Sequence, residues 1–403
     1  MMPLAVFVLG FGIFAQGTSE LMLAGLLPEL SADLGVSIPQ AGLLISGFAL
    51  GMMVGAPILA FALTALRVSR KHALLAFTAV FALTHVAGAV TSSYEVLLAT
   101  RFVGAIVYAG FWAVAATTAV SLVPEGARAR AMAVVAGGLT VATAVGLPLG
   151  TVIGQQLGWR GAFWAVAAGS LVALAAVAAA VPEDRPDTGA ARPDPRREIR
   201  GLAVPRLWAS YAMTALVIAA LMITFAYLGA MLGETTGVPP GWIPVFLALY
   251  GVGACAGIVV GGRVADRRPT ATMLAGTAGL VVVSGLLAAL AAQPLAVAVL
   301  SFLLGACGFG VNPVLNSRNF AIAPQAPLLV PALTASAFNI GIAFGPWLGG
   351  ALLDLGAGYR WLPATGAALA VGAAGLVLLD RRWAHRRAPV PAAAATGECL
   401  TGS

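Results

Sequence analysis

Charged side chains are scarce in this chain of 403 residues. Only 9% of the residues are Asp, Glu, Lys or Arg, and 60% are hydrophobic, whereas charged residues make up roughly a quarter of a soluble domain. The mean hydropathy is +0.96, and the length leaves room for about a dozen membrane spans of around 20 residues. The composition therefore excludes an ordinary soluble domain and predicts an all-α, multi-pass membrane protein.

Lysine, cysteine and histidine are also rare. Lys71 is the one lysine and follows Arg70, so the Gly-Lys-Ser/Thr sequence of a phosphate-binding loop does not occur, which argues against an ATP-driven pump. The three cysteines are an odd number and suggest no disulfide framework. The three histidines have no metal-ligand spacing; neither a metal nor a cofactor is expected, and the isolated His85 is predicted to be structural.

Twelve apolar runs follow one another along the chain. They lie at about 4–29, 42–65, 73–91, 94–122, 132–155, 161–181, 206–232, 242–262, 271–291, 294–322, 328–353 and 360–379. The Pro-, Arg- and Asp-rich stretch 183–205 has the composition of a solvated linker, and the tail 384–403 that of a disordered segment. We therefore predict two six-helix bundles, at 1–182 and 206–383, with the linker and the tail in the cytoplasm.

The basic residues predict the orientation of these spans. If the N-terminus is cytoplasmic, every Lys and Arg falls in a cytoplasmic segment except Arg101, Arg160 and Arg360. Cytoplasmic loops carry the excess of Lys and Arg in membrane proteins, so we predict a protein of the cell membrane with both termini in the cytoplasm. The net charge of +7 then reflects attraction to the anionic inner leaflet rather than nucleic-acid binding.

The glycine pattern of the first half recurs in the second. Gly51-x-x-x-Gly55 in span 2 matches Gly253-x-x-x-Gly257 in span 8, and a Gly-aromatic-Arg sequence begins at both 158 and 358. Because each half contains six spans, both enter the membrane from the same side. The pattern predicts a parallel pseudo-repeat about an axis along the membrane normal.

One carboxylate lies inside the first apolar span. Glu20 is four residues from Gln16, so on a helix the two side chains share a face. A membrane-embedded carboxylate is costly and normally faces a bundle interior or a wet cavity. We interpret this face as the wall of a substrate and proton site; the alternative is a helix-end Glu that reaches the membrane interface.

The loops after spans 2 and 8 carry related basic sequences. The first contains Arg67 and Arg70, and the second reads Gly262-x-x-x-Asp266-Arg267. These residues resemble the Gly-x-x-x-Asp-Arg loop of the major facilitator superfamily, and the resemblance covers essentially the whole chain. It implies gating roles for Arg67, Arg70, Asp266 and Arg267, although the basic residues are also explained by topology alone.

Two further motifs resemble the same family. Arg101-Phe102-x-Gly104 in span 4 is similar to its Arg-x-x-Gly motif, which implies that Arg101 takes part in proton coupling; an Arg that snorkels outward is the alternative. Spans 5 and 11 resemble its antiporter motif, complete in span 11 and looser in span 5, which would serve as a packing and hinge device. The residues concerned are Gly146, Pro148, Gly150, Gly341, Gly345, Pro346 and Gly349.

The run from Ala15 to Met22 is similar to the twelve-span drug–proton antiporters of this family, in particular to actinobacterial chloramphenicol exporters. The resemblance implies proton-coupled export of chloramphenicol or a related drug by a monomer. Exporters of sugars, nucleosides and amino acids have similar openings. Aromatic, hydroxyl and amide side chains could line the cavity, with packing or interhelical hydrogen bonding as the alternative role. These candidates are Phe111, Trp112, Thr224, Tyr227, Asn312, Asn316 and Asn339.

Other function classes fit the sequence less well. An intramembrane hydrolase needs a Ser/His or paired-carboxylate arrangement within the spans, and Glu20 is the one acidic residue well inside a predicted span. A channel would favour rings of like charge or filter loops, and a non-transporting sensor remains a distant alternative. Two six-span halves with Gly and Pro hinges favour a transporter over an enzyme.

Overall fold

Among the residues that the structure describes, twelve helices are long and apolar enough to cross a membrane, as the apolar runs predict. The structure is a computed structural model that describes residues 2–66, 68–183, 200, 202–265, 267–326 and 329–386, and no β-strand occurs among them. The spanning helices are α1 (Leu4–Gly25), α2 (Ile38–Leu66), α3 (Arg70–Val90), α4 (Tyr94–Ser121), α5 (Glu125–Leu157), α6 (Trp159–Ala180), α7 (Pro205–Glu234), α8 (Pro240–Ala265), α9 (Pro269–Leu290), α10 (Pro294–Ile322), α11 (Leu329–Asp354) and α12 (Trp361–Arg386).

A short connecting helix, Leu27–Leu34, lies between α1 and α2. It ends at Gly35, whose φ of 64° places it in the left-handed region that glycine adopts without a Cβ clash. Ser69 and Ser93 cap the N-termini of α3 and α4 by accepting hydrogen bonds from backbone N–H groups. These turns keep the connections between consecutive spans short.

Several spanning helices depart from regular α-helix. α1 ends in a 3₁₀ turn at Leu23–Gly25, and the regular helix of α7 is interrupted between Phe225 and Leu228. A π-helical turn, Ala142–Gly146, interrupts α5, and its last bond joins the Leu147 N–H to the Ala142 carbonyl. Pro148 follows directly and lacks the N–H that an α-helical bond would need. The predicted hinge sequence of α5 therefore coincides with an irregular turn.

Two pairs of helices make the most extensive contacts between the halves: α2 packs against α11, and α5 packs against α8. The two pairs follow the predicted repeat, because α8 and α11 are the counterparts of α2 and α5. Within each half, α1 packs on α5 and α7 on α11, while α2 packs on α4 and α8 on α10. The same pairings thus occur twice in the chain.

Glycine stripes bring these helices close together. In α1–α5, Gly146 faces Thr18 and Gly150 faces Met22. In α7–α11, a Cβ added to Gly341 would lie 2.6 Å from the Ala215 carbonyl oxygen, closer than real Cβ atoms approach. The predicted antiporter motif therefore packs a helix on its neighbour within each half, as small residues do in membranes.

Buried apolar side chains form two large clusters, one drawn mainly from α1–α6 and one mainly from α7–α12. Each also takes in residues of the other half, such as Tyr227 in the first and Leu147 in the second. The exact division at 182 and 205 stays a prediction, because most of the linker and of the tail lies outside the described residues.

An ionic cluster ties three helices of the second half at their predicted cytoplasmic ends. The Asp380 carboxylate on α12 pairs with Arg206 of α7 at 2.7 Å and with Arg318 of α10 at 2.5 Å. Next to Arg318, the Asn319 amide accepts from Ser210 at 2.6 Å and donates to Thr334 at 3.0 Å. These contacts hold α7, α10, α11 and α12 together where the chain enters the second half.

Candidate functional site

Glu20 lies on α1, one helical turn beyond Gln16, within a helix whose other polar residues are largely buried. Gln16 and Ser19 have no exposed surface, whereas Glu20 keeps partial exposure. From α4, Tyr108 and Arg101 lie close enough to the Glu20 carboxyl to act on its charge. Tyr108 and Arg101 are thus the α4 residues nearest in their effect on Glu20, and the role of Glu20 and Arg101 in proton coupling stays a prediction.

Arg101 is 2% exposed, so it does not snorkel to the membrane surface. Its guanidinium stacks 4.1 Å above the Phe48 ring of α2 and donates from Nη1 to the Ser19 hydroxyl at 2.6 Å. Both Arg101 and Glu20 are described, and no ion pair joins them directly. The cation is instead anchored on the residue that precedes Glu20, and its Nε and Nη2 atoms have no partner among the described residues.

The amide of Gln16 is buried and makes no hydrogen bond at either Oε1 or Nε2 within the described part of the chain. A buried amide without partners costs about 1–3 kcal/mol for each unsatisfied group, which native structures seldom tolerate. Gln16 and the free N–H groups of Arg101 can therefore donate hydrogen bonds to a ligand or water, and the Gln16 Oε1 can accept one. Glu20 adds a carboxyl that can hold or release a proton.

The predicted aromatic residues of α4 differ in their surroundings. Phe111 is fully buried, and its ring packs against the backbone of Gly12 on α1. Trp112 is partly buried against the same core cluster. A role of these rings in substrate binding stays a prediction; the contacts seen for Phe111 are packing contacts.

Tyr227 and Thr224 lie near the interruption of α7. The Tyr227 hydroxyl donates to the Pro346 carbonyl of α11 at 2.8 Å, and its ring packs against Gly349. Thr224 is buried and its Oγ1 has no partner among the described residues; a Cβ added to Gly366 of α12 would lie 3.3 Å from it. Tyr227 thus bonds α7 to α11 at Pro346, whereas Thr224 lies in the interior against α12, and a role of either residue in substrate binding stays a prediction.

The three predicted asparagines bond within their own helices or not at all. Asn316 donates to the Asn312 carbonyl at 3.0 Å and Asn339 to the Ala335 carbonyl at 2.9 Å. The Oδ1 atoms of Asn312 and Asn339 are buried without partners in the described chain. The interhelical bonding weighed as an alternative occurs at a different asparagine, Asn319.

Two of the predicted gating residues, Arg67 and Asp266, lie outside the described residues. Arg70 is the first residue of α3, and Arg267 is exposed in the turn between α8 and α9. Their gating roles stay predictions. The glycines predicted as hinges form the packing stripes of α5 and α11, with Pro148 and Pro346 among them in sequence, and their hinge role stays a prediction.

Sequence reasoning missed Ser19, Tyr108 and the involvement of His85. The His85 Nε2 lies 2.5 Å from the Ser19 hydroxyl, and its Nδ1 lies 2.8 Å from the Phe81 carbonyl. Ser19 and His85 are 66 residues apart, so spacing could not connect them. The available signal was the presence of polar residues in otherwise apolar runs on three helices.

Comparisons with known proteins agree with this architecture. The family model described as Major Facilitator Superfamily matches residues 9–327. A chloramphenicol resistance protein of Streptomyces lividans is 42% identical over 346 residues, covering 86% of this chain and 88% of that protein. The inner membrane transport protein YdhP of Escherichia coli K12 is 33% identical over 93% of this chain and 95% of its own.

Solved transporters share the fold at much lower identity. A bacterial homologue of the human lysosomal transporter Spinster superposes with a TM-score of 0.77 at 19% identity, covering 96% of this chain and 98% of that one. The nucleoside transporter NupG gives a TM-score of 0.76 at 13% identity, with coverage of 94% and 98%. The repeated helix pairs, the glycine stripes and these matches together identify the chain as a multi-pass membrane transporter of the major facilitator superfamily.

Proposed function

We propose that this transporter exports a small, moderately hydrophobic compound, chloramphenicol or a related drug, in exchange for protons. The observation that carries the proposal is Glu20, a partly buried carboxyl within the spanning helix α1, near a buried cation and one turn from an unpartnered amide. The 42% identity to a chloramphenicol resistance protein supports the choice of substrate.

The site supports an exchange of proton for substrate at one place. A protonated Glu20 is neutral and can donate a hydrogen bond, whereas the ionised carboxylate accepts hydrogen bonds only. Gln16, one turn away, offers both a donor and an acceptor. A neutral ligand with hydroxyl and amide groups would bind the ionised form, and proton entry to Glu20 would favour its release.

The helix packing supports alternating access. Glycine stripes in α5 and α11 allow close contact with α1 and α7, and irregular turns interrupt α5 and α7. Close, side-chain-poor contacts and interrupted helices are where helices of a bundle can change their relative tilt. The two halves would then open the site to each side of the membrane in turn.

The test is chloramphenicol accumulation in cells that express the protein, with and without an uncoupler. We expect low accumulation in wild-type cells and a return to the empty-vector level with the uncoupler. Glu20→Gln keeps the shape and hydrogen-bonding capacity of the side chain but cannot titrate, so it should abolish export. Wild-type export by a well-expressed Glu20→Gln variant would remove Glu20 from the mechanism.

A matched control is available on α4. Glu95→Gln makes the same change at an exposed residue that bonds to Ser93 at the start of the helix, and it should leave export intact. If wild-type cells accumulate chloramphenicol like the empty vector, the drug assignment fails while the fold stands. Sugars, nucleosides and amino acids are then the compounds to test with the same variants.

A further inference from the structure

Three buried side chains form a chain of hydrogen bonds behind Glu20. Arg101 of α4 donates to the Ser19 hydroxyl of α1 at 2.6 Å, and that hydroxyl lies 2.5 Å from Nε2 of His85 on α3. Nδ1 of His85 lies 2.8 Å from the carbonyl oxygen of Phe81. Each of the three side chains is 3% exposed or less. The chain thus links α1, α3 and α4 in the interior of the first half.

Chemistry fixes the direction of every bond. A carbonyl oxygen can only accept, so the His85 Nδ1 must carry a proton and donate it to Phe81. In the neutral ring Nε2 is then an acceptor, and it takes the Ser19 hydroxyl proton. The Ser19 oxygen is left to accept from Arg101, which can only donate. Each of the three hydrogen bonds thus has one donor and one acceptor, while Nε and Nη2 of Arg101 stay without a partner among the described residues.

The surroundings of His85 favour this neutral form. Its ring lies 4.2 Å from the Phe81 ring and 5.6 Å from the Phe163 ring, measured between centroids. The positive charge of Arg101 also acts on the His85 ring and disfavours a second positive charge there. A doubly protonated ring would turn Nε2 into a donor, which would then compete with Arg101 for the Ser19 oxygen.

We propose that Ser19 and His85 are positioning residues that hold the Arg101 guanidinium beside Glu20 without letting the two form a direct ion pair. A direct pair would fix Glu20 in its charged form, because each partner stabilises the charge of the other. The chain of hydrogen bonds keeps the Arg101 guanidinium near the Glu20 carboxyl while leaving that carboxyl free to exchange its proton. This inference rests on the proton-coupled function proposed above.

The first test separates coupling from folding in reconstituted vesicles with chloramphenicol as the probe. Ser19→Ala should lower transport driven by a pH gradient by at least about tenfold, the scale of one lost hydrogen bond to a charged group. Exchange of labelled for unlabelled chloramphenicol at equal pH needs no net proton transfer and should be unchanged. Ser19→Thr restores the hydroxyl and should restore gradient-driven transport.

Ser170→Ala is the matched control. Ser170 is a fully buried hydroxyl on α6 of the same half, and it has no hydrogen-bond partner among the described residues. Its loss should change neither measurement. If Ser19→Ala loses exchange and gradient-driven transport equally, Ser19 has a merely structural role. If the variant keeps full gradient-driven transport, Ser19 has no role in coupling. Either result overturns the proposal.

A second measurement does not depend on the substrate. The chain contains three histidines, His72, His85 and His385, so ¹⁵N-histidine NMR with His72→Gln and His385→Gln isolates the signal of His85. We expect a neutral ring protonated at Nδ1, with an Nε2 shift that changes in Ser19→Ala. A His85 ring protonated at Nε2 would overturn the proposed chain of hydrogen bonds. If the wild-type protein transports no chloramphenicol, the proposed drug function fails. The NMR spectrum still decides whether the chain of hydrogen bonds exists.

Discussion

Among single residues, Asp33 joins several segments of the chain at the predicted outer end of the protein. This is the end that carries the α1–α2 and α7–α8 connections. Its carboxylate accepts a hydrogen bond from the Trp159 indole at 2.9 Å and pairs with Arg160. Arg160 also donates to the Thr91 carbonyl at 3.0 Å and stacks on the Trp159 ring. The connecting helix, the α3–α4 turn and the start of α6 are thereby joined.

This contact predicts a pH dependence of stability. The Trp159 hydrogen bond, followed by the Arg160 contact, lowers the pKa of Asp33 below its ordinary value. Its contribution is therefore complete above the unfolded-state pKa of about 3.9 and is lost as the pH falls through the lower folded-state pKa. We expect Asp33→Asn to have a lower melting temperature than wild type at pH 7. The difference between the two melting temperatures should shrink as the pH falls below about 3.9.

The effect should be small, because the Asp33 side chain is 45% exposed and exposed pairs contribute at most about 1 kcal/mol. Melting curves of the purified protein in detergent from pH 7 to pH 3 provide the measurement. Glu125→Gln is the control, since Glu125 forms an exposed i,i+3 pair with Arg128. A difference between wild type and Asp33→Asn that persists unchanged into acid would contradict the assignment.

The sequence could indicate the residues of the candidate site but not their contacts. Glu20, Gln16 and Arg101 were recognisable because polar residues are costly in apolar spans, and helical spacing placed the first two on one face. Whether Arg101 would meet Glu20 or its neighbour depends on the distance between α1 and α4, which close packing sets. His85 was expected to be structural, and its bond to Ser19 depends on contacts between helices far apart in sequence.

At the level of helices, the α11 glycine stripe determines how closely α7 can approach. A Cβ added to Gly345 would lie 2.9 Å from both the Ala219 carbonyl oxygen and the Ile223 nitrogen. Both neighbours are backbone atoms of α7, so the contact cannot be relieved by a change of rotamer. Gly345→Val should therefore separate the two helices.

We expect Gly345→Val to reduce the free energy of unfolding by about 1–3 kcal/mol, the cost of overpacking a tight contact, and to abolish chloramphenicol export. Thermal stability of the detergent-solubilised protein and drug accumulation are the measurements. Gly285→Val on α9 is the control, because Gly285 is exposed and an added Cβ would meet nothing within 4 Å. Normal stability and export in Gly345→Val would show that the close approach is incidental.

The helices themselves were largely predictable, and their irregularities were not. Apolar run lengths identify spans because a membrane-crossing helix needs about 20 apolar residues. The π-helical turn Ala142–Gly146 lies just before Pro148, whereas the interruption of α7 has no proline beside it and lies where Tyr227 bonds to α11. Pro148 indicated a bend in α5, but the type of turn depends on the packing of α5 against α1 and α8.

In the whole molecule, the two halves meet at the predicted outer end. A Cβ added to Gly229 of α7 would lie 2.7 Å from the Ala24 carbonyl oxygen of α1. Gln155 of α5 donates to the Pro240 carbonyl of α8 at 3.0 Å. Gly350 of α11 faces Pro39 of α2, close to the Tyr227 hydroxyl. These contacts close this end, and alternating access requires them to separate during each transport cycle.

A disulfide across this end should therefore stop transport. A Cβ at position 350 would lie 3.3 Å from the Pro39 Cβ, close to the 3.5–4.5 Å (roughly) that separates Cβ atoms in disulfides. We expect the double variant Pro39→Cys and Gly350→Cys, in a background with the native cysteines replaced, to lose chloramphenicol transport on oxidation. Reduction should restore it, because the bond prevents opening without changing Glu20 or its partners.

Each single variant, treated with the same oxidant, measures the effect of the substitution alone, including any crowding of Tyr227. Transport by fully cross-linked protein at the rate of the reduced protein would mean that the outer end need not open, and alternating access between the halves would have to be abandoned as the mechanism.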